Sequence, residues 1–198
     1  MTFYNFFKNF VGIFFKLIYR PEVVGINNIP KNEALVICSN HKCILDPIFL
    51  AVYVDRQIHF MAKKELFKNK MVNKFFSKLG AFPVDRDGAD IFAIKQALRV
   101  LKNDEVLGIF PEGTRVKEIN LDNAKSGVAM IAHKANALIL PCQIIGDYKP
   151  FKKMKLEIKK PIDIRSLPKQ TPDEYDEIAK NILSNIYGIG DENRDKVS

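Results

Sequence analysis

From about residue 21 onward, short apolar runs alternate with stretches of helical periodicity. The runs at 34–38, 58–62, 81–84, 106–110 and 138–145 read as strands, because they are brief, apolar and bounded by turn-forming residues. Apolar positions recurring at helical spacing predict helices over 90–101 and 126–135. Asp46-Pro47 marks the start of another over 47–54, a side-chain acceptor followed by Pro at the first helical position. A late strand over 154–159, a closing helix over 172–187 and a polar tail over 191–198 complete the chain. Strands and helices in alternation predict an α/β domain over residues 21–190, with no internal repeat.

Residues 2–20 are set apart as one amphipathic helix. At 100° per residue, Phe3, Phe6, Phe7, Phe10, Phe14, Leu17 and Ile18 gather on one side, and Asn5, Lys8, Asn9, Lys16 and Arg20 on the other. Six phenylalanines with three cations and no acid describe a helix lying in a membrane interface, while a terminal helix covering the core is the alternative. The apolar stretch falls well short of the roughly 20 residues needed to span a bilayer, and Tyr19-Arg20-Pro21 stands where a secretory signal would need small residues. The helix is expected to stay in the mature protein and to dock without spanning.

Charge narrows the partners. Lys and Arg number 31 against 23 Asp and Glu, a formal net charge of +8, which favours phosphate or an anionic surface. Three cysteines without CxxC spacing suggest neither a disulfide framework nor a zinc site, and a reducing cytoplasmic setting fits. The aromatics cluster in the first helix and the apolar runs, so no basic and aromatic stacking platform for nucleic acid is evident.

Candidate chemistry sits on loops that follow strands. His41, just beyond the run at 34–38, precedes Asp46 by five positions. A histidine can take a proton from an alcohol near neutral pH if a carboxylate holds its other ring nitrogen. His-x4-Asp spacing is common by chance and needs independent support. Phe110-Pro111-Glu112-Gly113-Thr114-Arg115 supplies it, again following a strand: a turn exposing a carboxylate and a guanidinium fork suited to phosphate. A surface turn with a solvated ion pair is the alternative. Arg86, in Val84-Asp85-Arg86-Asp87-Gly88, and Lys125, before a helix start, extend the anion-binding picture, though single exposed charges are often merely solvated.

Asn40-His41 through Asp46, then Gly80 to Arg86, Phe110 to Arg115 and Leu140-Pro141 resemble the four ordered motif blocks of the glycerolipid acyltransferase family, lysophosphatidate acyltransferases above all. The resemblance spans roughly residues 20–160. It implies a mixed, mostly parallel sheet flanked by helices. It implies His41 as general base on the acceptor hydroxyl, Asp46 as its orienter, and direct attack on a thioester with no acyl-enzyme and no metal. Glu112, Gly113, Thr114 and Arg115 would then bind the glycerol phosphate, Gly113 keeping the turn open, with Arg86 and Lys125 as further phosphate contacts. The co-substrate would be acyl-coenzyme A or acyl carrier protein with no separate cofactor, and the acceptor a lysophospholipid in an anionic membrane, reached from its cytoplasmic face. Val116-Lys117-Glu118 departs from the small or polar residues usual after the third block, so another acceptor, glycerol 3-phosphate or another lysolipid, stays open. A non-catalytic basic module for membranes or nucleic acid is the competing class.

Other reactive residues are given structural roles. Cys43 lacks an orienting partner for a Cys-His nucleophile. His59 lies within a strand and His133 on a helix among apolar residues. The lysines at 63, 64, 68, 70, 74 and 78 form a basic run on helical ground, either solvated surface or a contact for anionic lipid or an acyl carrier.

Overall fold

A computed structural model of the chain describes residues 2–85 and 90–189. Among these residues seven strands form one sheet: β1 (Glu22–Val24), β2 (Leu35–Ser39), β3 (Ile58–Lys63), β4 (Phe82–Val84), β5 (Val106–Ile109), β6 (Leu138–Ile145) and β7 (Lys155–Ile158). Their order is β1-β7-β6-β2-β5-β3-β4. Five neighbours, β6 to β4, run parallel; β7 is antiparallel to β6, and β1 runs parallel to β7. The expected α/β class and mostly parallel sheet are therefore present. The expected strands and helices recur with ends moved by a residue or two. The strand β1 has no counterpart among them, since three residues are too few to show a period.

Among the described residues six α-helices, α1 (Phe3–Tyr19), α2 (Asp46–Tyr53), α3 (Lys70–Lys78), α4 (Ile91–Lys102), α5 (Gly127–Lys134) and α6 (Pro172–Tyr187), accompany the sheet. The central strand explains the layering. Successive side chains of a strand point to opposite faces, and every residue of β2 is buried, so both faces must be covered. Val36 and Cys38 join a core with α4, α5 and α6, through Ala97, Leu101, Ala129, Ala132, Ala179 and Leu183. Leu35 and Ile37 join a second core with α1 and α2, through Phe15, Phe49, Leu50 and Val54.

The helix α1 thus carries two apolar stripes. Tyr4, Gly12 and Phe15 are buried, with Val11 and Tyr19 half-buried behind them, and Gly12 lets the backbone approach Val52 of α2. Phe3, Phe6, Phe10, Ile13, Phe14 and Leu17 form a second, exposed stripe. Phe7, grouped above with most of these residues on the apolar side of the helix, packs edge-on against Phe75 of α3. Lys8 also departs from expectation. Its Nζ donates to the Val54 carbonyl at 2.7 Å and pairs with Asp55 at 3.6 Å, because the end of α2 offers an unsatisfied carbonyl within reach.

Gly108 of β5 lies opposite Phe60 of β3. A Cβ there would stand 2.3 Å from the Phe60 ring, so the bare backbone is what lets Phe60 lie across β5 and stack on Phe110 at 5.9 Å. Gly108→Ala is expected to destabilise the protein by about 1–3 kcal/mol through overpacking, read as a lower urea midpoint.

Candidate active site

Parallel strands that are neighbours release their following loops side by side at the same sheet edge. With Cys38 of β2 in register with Ile109 of β5, Asn40-His41 and Phe110-Pro111-Glu112 leave the sheet together. Asn40 closes the gap to the next strand: its amide donates to the Ile144 carbonyl at 3.0 Å and accepts from the Ile144 N–H at 2.7 Å, extending the β2–β6 pairing by a side chain.

The His41 ring then stacks on Phe110, centroids 4.0 Å apart and planes 18° from parallel. Its Nδ1 lies 2.9 Å from Asp46 Oδ2. That oxygen also accepts the backbone N–H groups of Lys42 at 2.6 Å and Cys43 at 2.7 Å, and Oδ1 accepts the Tyr148 hydroxyl at 2.8 Å. Asp46 is fully buried, so the loop from 41 to 46 wraps its backbone donors around the carboxylate. This corrects the expected helix start. Asp46 is the first residue of α2, not its cap, and its side chain faces back into the loop, where three donors converge, instead of bonding the helix.

Glu112 is buried beside His41. Its Oε2 accepts the His41 backbone N–H at 2.7 Å, and Oε1 accepts the Tyr187 hydroxyl from the last turn of α6. Burial pushes the Glu112 carboxyl up from its usual range, while the bonds from Tyr187 and the His41 N–H oppose the shift. Burial, and then the Glu112 bond, raise the Tyr187 phenol, so it stays a donor. The His41 carbonyl accepts from the Val116 N–H at 2.9 Å, closing the far side of the turn.

Gly113 adopts φ +70°, a conformation that suits glycine. Thr114 and Arg115 are exposed on the same turn. Lys125 joins them, its N–H bonded to the Pro111 carbonyl at 2.9 Å and its side chain passing 3.5 Å from where a Cβ on Gly113 would stand. His41, Asp46, Glu112, Gly113, Thr114, Arg115 and Lys125 are thus gathered at one edge. Arg86 lies outside the described residues; the strand before it, β4, stands three places from β2, roughly 14 Å across the sheet. A cavity of about 230 Å³ adjoins the site, lined by Asn40, Lys42, Val116, Lys117, Gln143 and Tyr187 among others.

Sequence patterns missed both tyrosines. Tyr148 is 102 residues from Asp46, and Tyr187 is 75 from Glu112, distances at which no periodicity signals contact. The remaining candidates take structural places. His59 Nδ1 bonds the Gly80 carbonyl, and His133 lies between the Tyr175 hydroxyl and the Leu167 carbonyl. Burial pushes Cys142 up to about 12 and Cys38 upward as well.

An arrangement that ties Nδ1 to a buried carboxylate leaves Nε2, unbonded among the described residues, as the proton acceptor. Comparison with known proteins follows the same line. Residues 20–145 match the family model described as Acyltransferase. A 1-acyl-sn-glycerol-3-phosphate acyltransferase of Bacillus subtilis (strain 168) is 38% identical over 175 residues, 83% of this chain and 86% of that protein. One of Streptococcus pneumoniae (strain ATCC BAA-255 / R6) is 29% identical over 171 residues, 83% of this chain and 63% of that protein. The crystal structure of the 1-acyl-sn-glycerophosphate (LPA) acyltransferase PlsC from Thermotoga maritima superposes with a TM-score of 0.66 at 26% identity, covering 91% of this chain and 77% of that one.

Because Glu112 bridges two elements, Glu112→Ala is expected to lower stability by about 1–3 kcal/mol. Tyr187→Phe should then cost less in that background than it costs alone, a non-additivity that a double-mutant cycle in urea measures.

Proposed function

The chain belongs to the acyltransferase family, and from that premise we propose that it moves a fatty acyl group from a thioester onto the free hydroxyl of lysophosphatidate, giving phosphatidate. The observation that carries this reading is the pairing of His41 Nδ1 with buried Asp46, at the sheet edge that also gathers Arg115 and Lys125. The acceptor named for the Bacillus subtilis and Streptococcus pneumoniae relatives supports the substrate.

His41 Nε2 takes the proton of the acceptor hydroxyl as the oxygen attacks the thioester carbonyl. The new ester C–O bond forms, the C–S bond breaks, and the imidazolium returns its proton to the departing thiolate. Asp46 keeps the proton on Nδ1 and stabilises the imidazolium between the two transfers. Phe110 fixes the ring plane from one side. Glu112 holds the His41 main chain, and Thr114, Arg115 and Lys125 stand where a glycerol phosphate would meet cationic and hydroxyl groups, with Arg86 as a further phosphate contact. The donor is acyl-coenzyme A or acyl carrier protein, and neither demands an acylated residue.

The substrate lives in a bilayer, and α1 brings the enzyme to it. Among the described residues no helix is long and apolar enough to cross a membrane. The exposed stripe of Phe6, Phe10, Ile13, Phe14 and Leu17 instead lies in the interface, with Lys16 and Arg20 beside it. Phe75 packs α3 against Phe3 and Phe7, which places exposed Met71 and the lysines at 70, 74 and 78 next to that stripe, and Lys78 sits over the Phe3 ring. Cations around an apolar surface suit anionic head groups.

Steady-state kinetics test the chemistry. His41→Ala should lose at least about 100-fold in kcat with its fold intact, and Cys43→Ala should keep native turnover. Arg115→Ala should raise the acceptor KM about 10-fold and leave the donor KM unchanged. Native turnover by His41→Ala, or an acyl group trapped on Cys43, would sink the mechanism.

A second experiment tests the membrane face. Because α1 also covers core residues, point changes on the exposed stripe are cleaner than truncation. Replacing Phe6, Phe10 and Phe14 by Gln should reduce co-sedimentation with anionic vesicles, and activity on them, several-fold more than activity on detergent-dispersed substrate. Unchanged vesicle binding would remove the stripe from membrane docking.

A further inference from the structure

Tyr148 lies in the segment after β6. Its hydroxyl occupies Asp46 Oδ1, the carboxylate oxygen that His41 does not use. A buried carboxylate bonded at one oxygen only could turn about its last torsion. With Oδ1 pinned at 2.8 Å, Oδ2 is held toward His41 Nδ1 and the two loop N–H groups. Burial, with the Asp46 charge acting in the same direction, raises the Tyr148 phenol far above its usual range, so the group stays a hydrogen-bond donor.

The ring of Tyr148 is held from the opposite direction. It meets Tyr19 edge-on at 5.6 Å, Phe15 at 6.5 Å and Phe49 at 6.1 Å. Phe15 and Tyr19 belong to the inner stripe of α1, the helix whose outer stripe is exposed. The main chain repeats the connection: the Phe151 N–H bonds the Ile18 carbonyl at 2.8 Å, and the Met154 N–H bonds the Tyr19 carbonyl at 3.3 Å. The last turn of α1 and the segment carrying Tyr148 are therefore joined by rings and by backbone.

We propose that Tyr148 is a positioning residue for the Asp46–His41 pair, and that it links the orientation of the lipid-facing helix α1 to that pair. This rests on the roles given to His41, Asp46 and α1 above. The clamp formed by Phe15, Tyr19 and Phe49 aims the hydroxyl, and the hydroxyl aims the carboxylate. A shift in the last turn of α1 then changes how well His41 is held and leaves the phosphate-binding turn at 113–115 untouched. Turnover responds, not substrate affinity.

The test uses the full chain with lysophosphatidate vesicles and whichever of acyl-coenzyme A or acyl carrier protein supports wild-type turnover. Tyr148→Phe keeps the ring and removes the hydroxyl. It should lower kcat about 10-fold while both KM values stay within about 2-fold, a split that general loosening of the fold would not produce. Tyr19→Leu should lower kcat about 3-fold in the native background and have no further effect in Tyr148→Phe, since both act through one hydroxyl. Native kcat in Tyr148→Phe overturns the positioning role, and an equal effect of Tyr19→Leu in both backgrounds overturns the link to α1. A 15N spectrum of the three histidines gives an answer independent of turnover. Tyr148→Phe should move the His41 ring resonances and leave those of His59 and His133 in place, and an unmoved His41 overturns the proposal even if lysophosphatidate is not the acceptor. His41→Ala as active as wild type would fail the functional reading and leave that spectrum to decide the positioning role.

Discussion

A carboxylate with no exposure to water has to be surrounded by donors, and at Asp46 four converge: the His41 ring, the N–H groups of Lys42 and Cys43, and the Tyr148 hydroxyl. Much of the site follows from meeting that demand. The loop between β2 and α2 curls so that two of its amides reach Oδ2, which turns the His41 ring onto Nδ1 contact and against Phe110. The same curl points the His41 N–H to Glu112, and Glu112 in turn recruits Tyr187 from α6. A chain of charge-assisted bonds thereby ties α2, β2, β5 and α6 to one orientation of one imidazole.

The sheet makes this economical. Adjacent parallel strands deliver the His41 loop and the Glu112 loop at the same edge, so neither has to travel to find the other. Asn40 bonds both polar groups of Ile144 and keeps β6 beside β2 beyond the last regular pair. Gly108, having no side chain, lets Phe60 back Phe110, so the ring facing His41 is itself supported from behind. Preorganisation of this kind means the base need not be reordered when an acceptor arrives.

The helix α1 is apolar on two sides. Core packing requires Tyr4, Gly12 and Phe15 to face α2, while Phe6, Phe10, Ile13, Phe14 and Leu17 face outward, so the helix is apolar on most of its circumference. The interior use of Lys8 follows from this crowding: its stem lies along the packed side, and its ammonium ends on the Val54 carbonyl. Proximity of Phe15 and Tyr19 to Tyr148 then places the Asp46 carboxylate one side chain away from a helix whose outer stripe is exposed.

Local pattern was enough to read the alternation of strands and helices, the closing helix over 172–187, the helical nature of residues 3–19, and the two loops bearing His41 and Glu112. These signals are periods, caps and strand-end turns, each contained within a few consecutive residues. The strand β1, the antiparallel pairing of β7 with β6, the buried stripe of α1 and the hydroxyls of Tyr148 and Tyr187 were not legible. Each depends on which distant segment lies alongside, and a phenol, a three-residue strand or a Lys8 looks the same in sequence whatever it faces. Residue types and spacing determined that a histidine, an aspartate five positions on and cations on neighbouring loops were present. Only the tertiary structure decided how they are held, because burial, and with it the need for every buried donor and acceptor to find a partner, is a property of the packed chain.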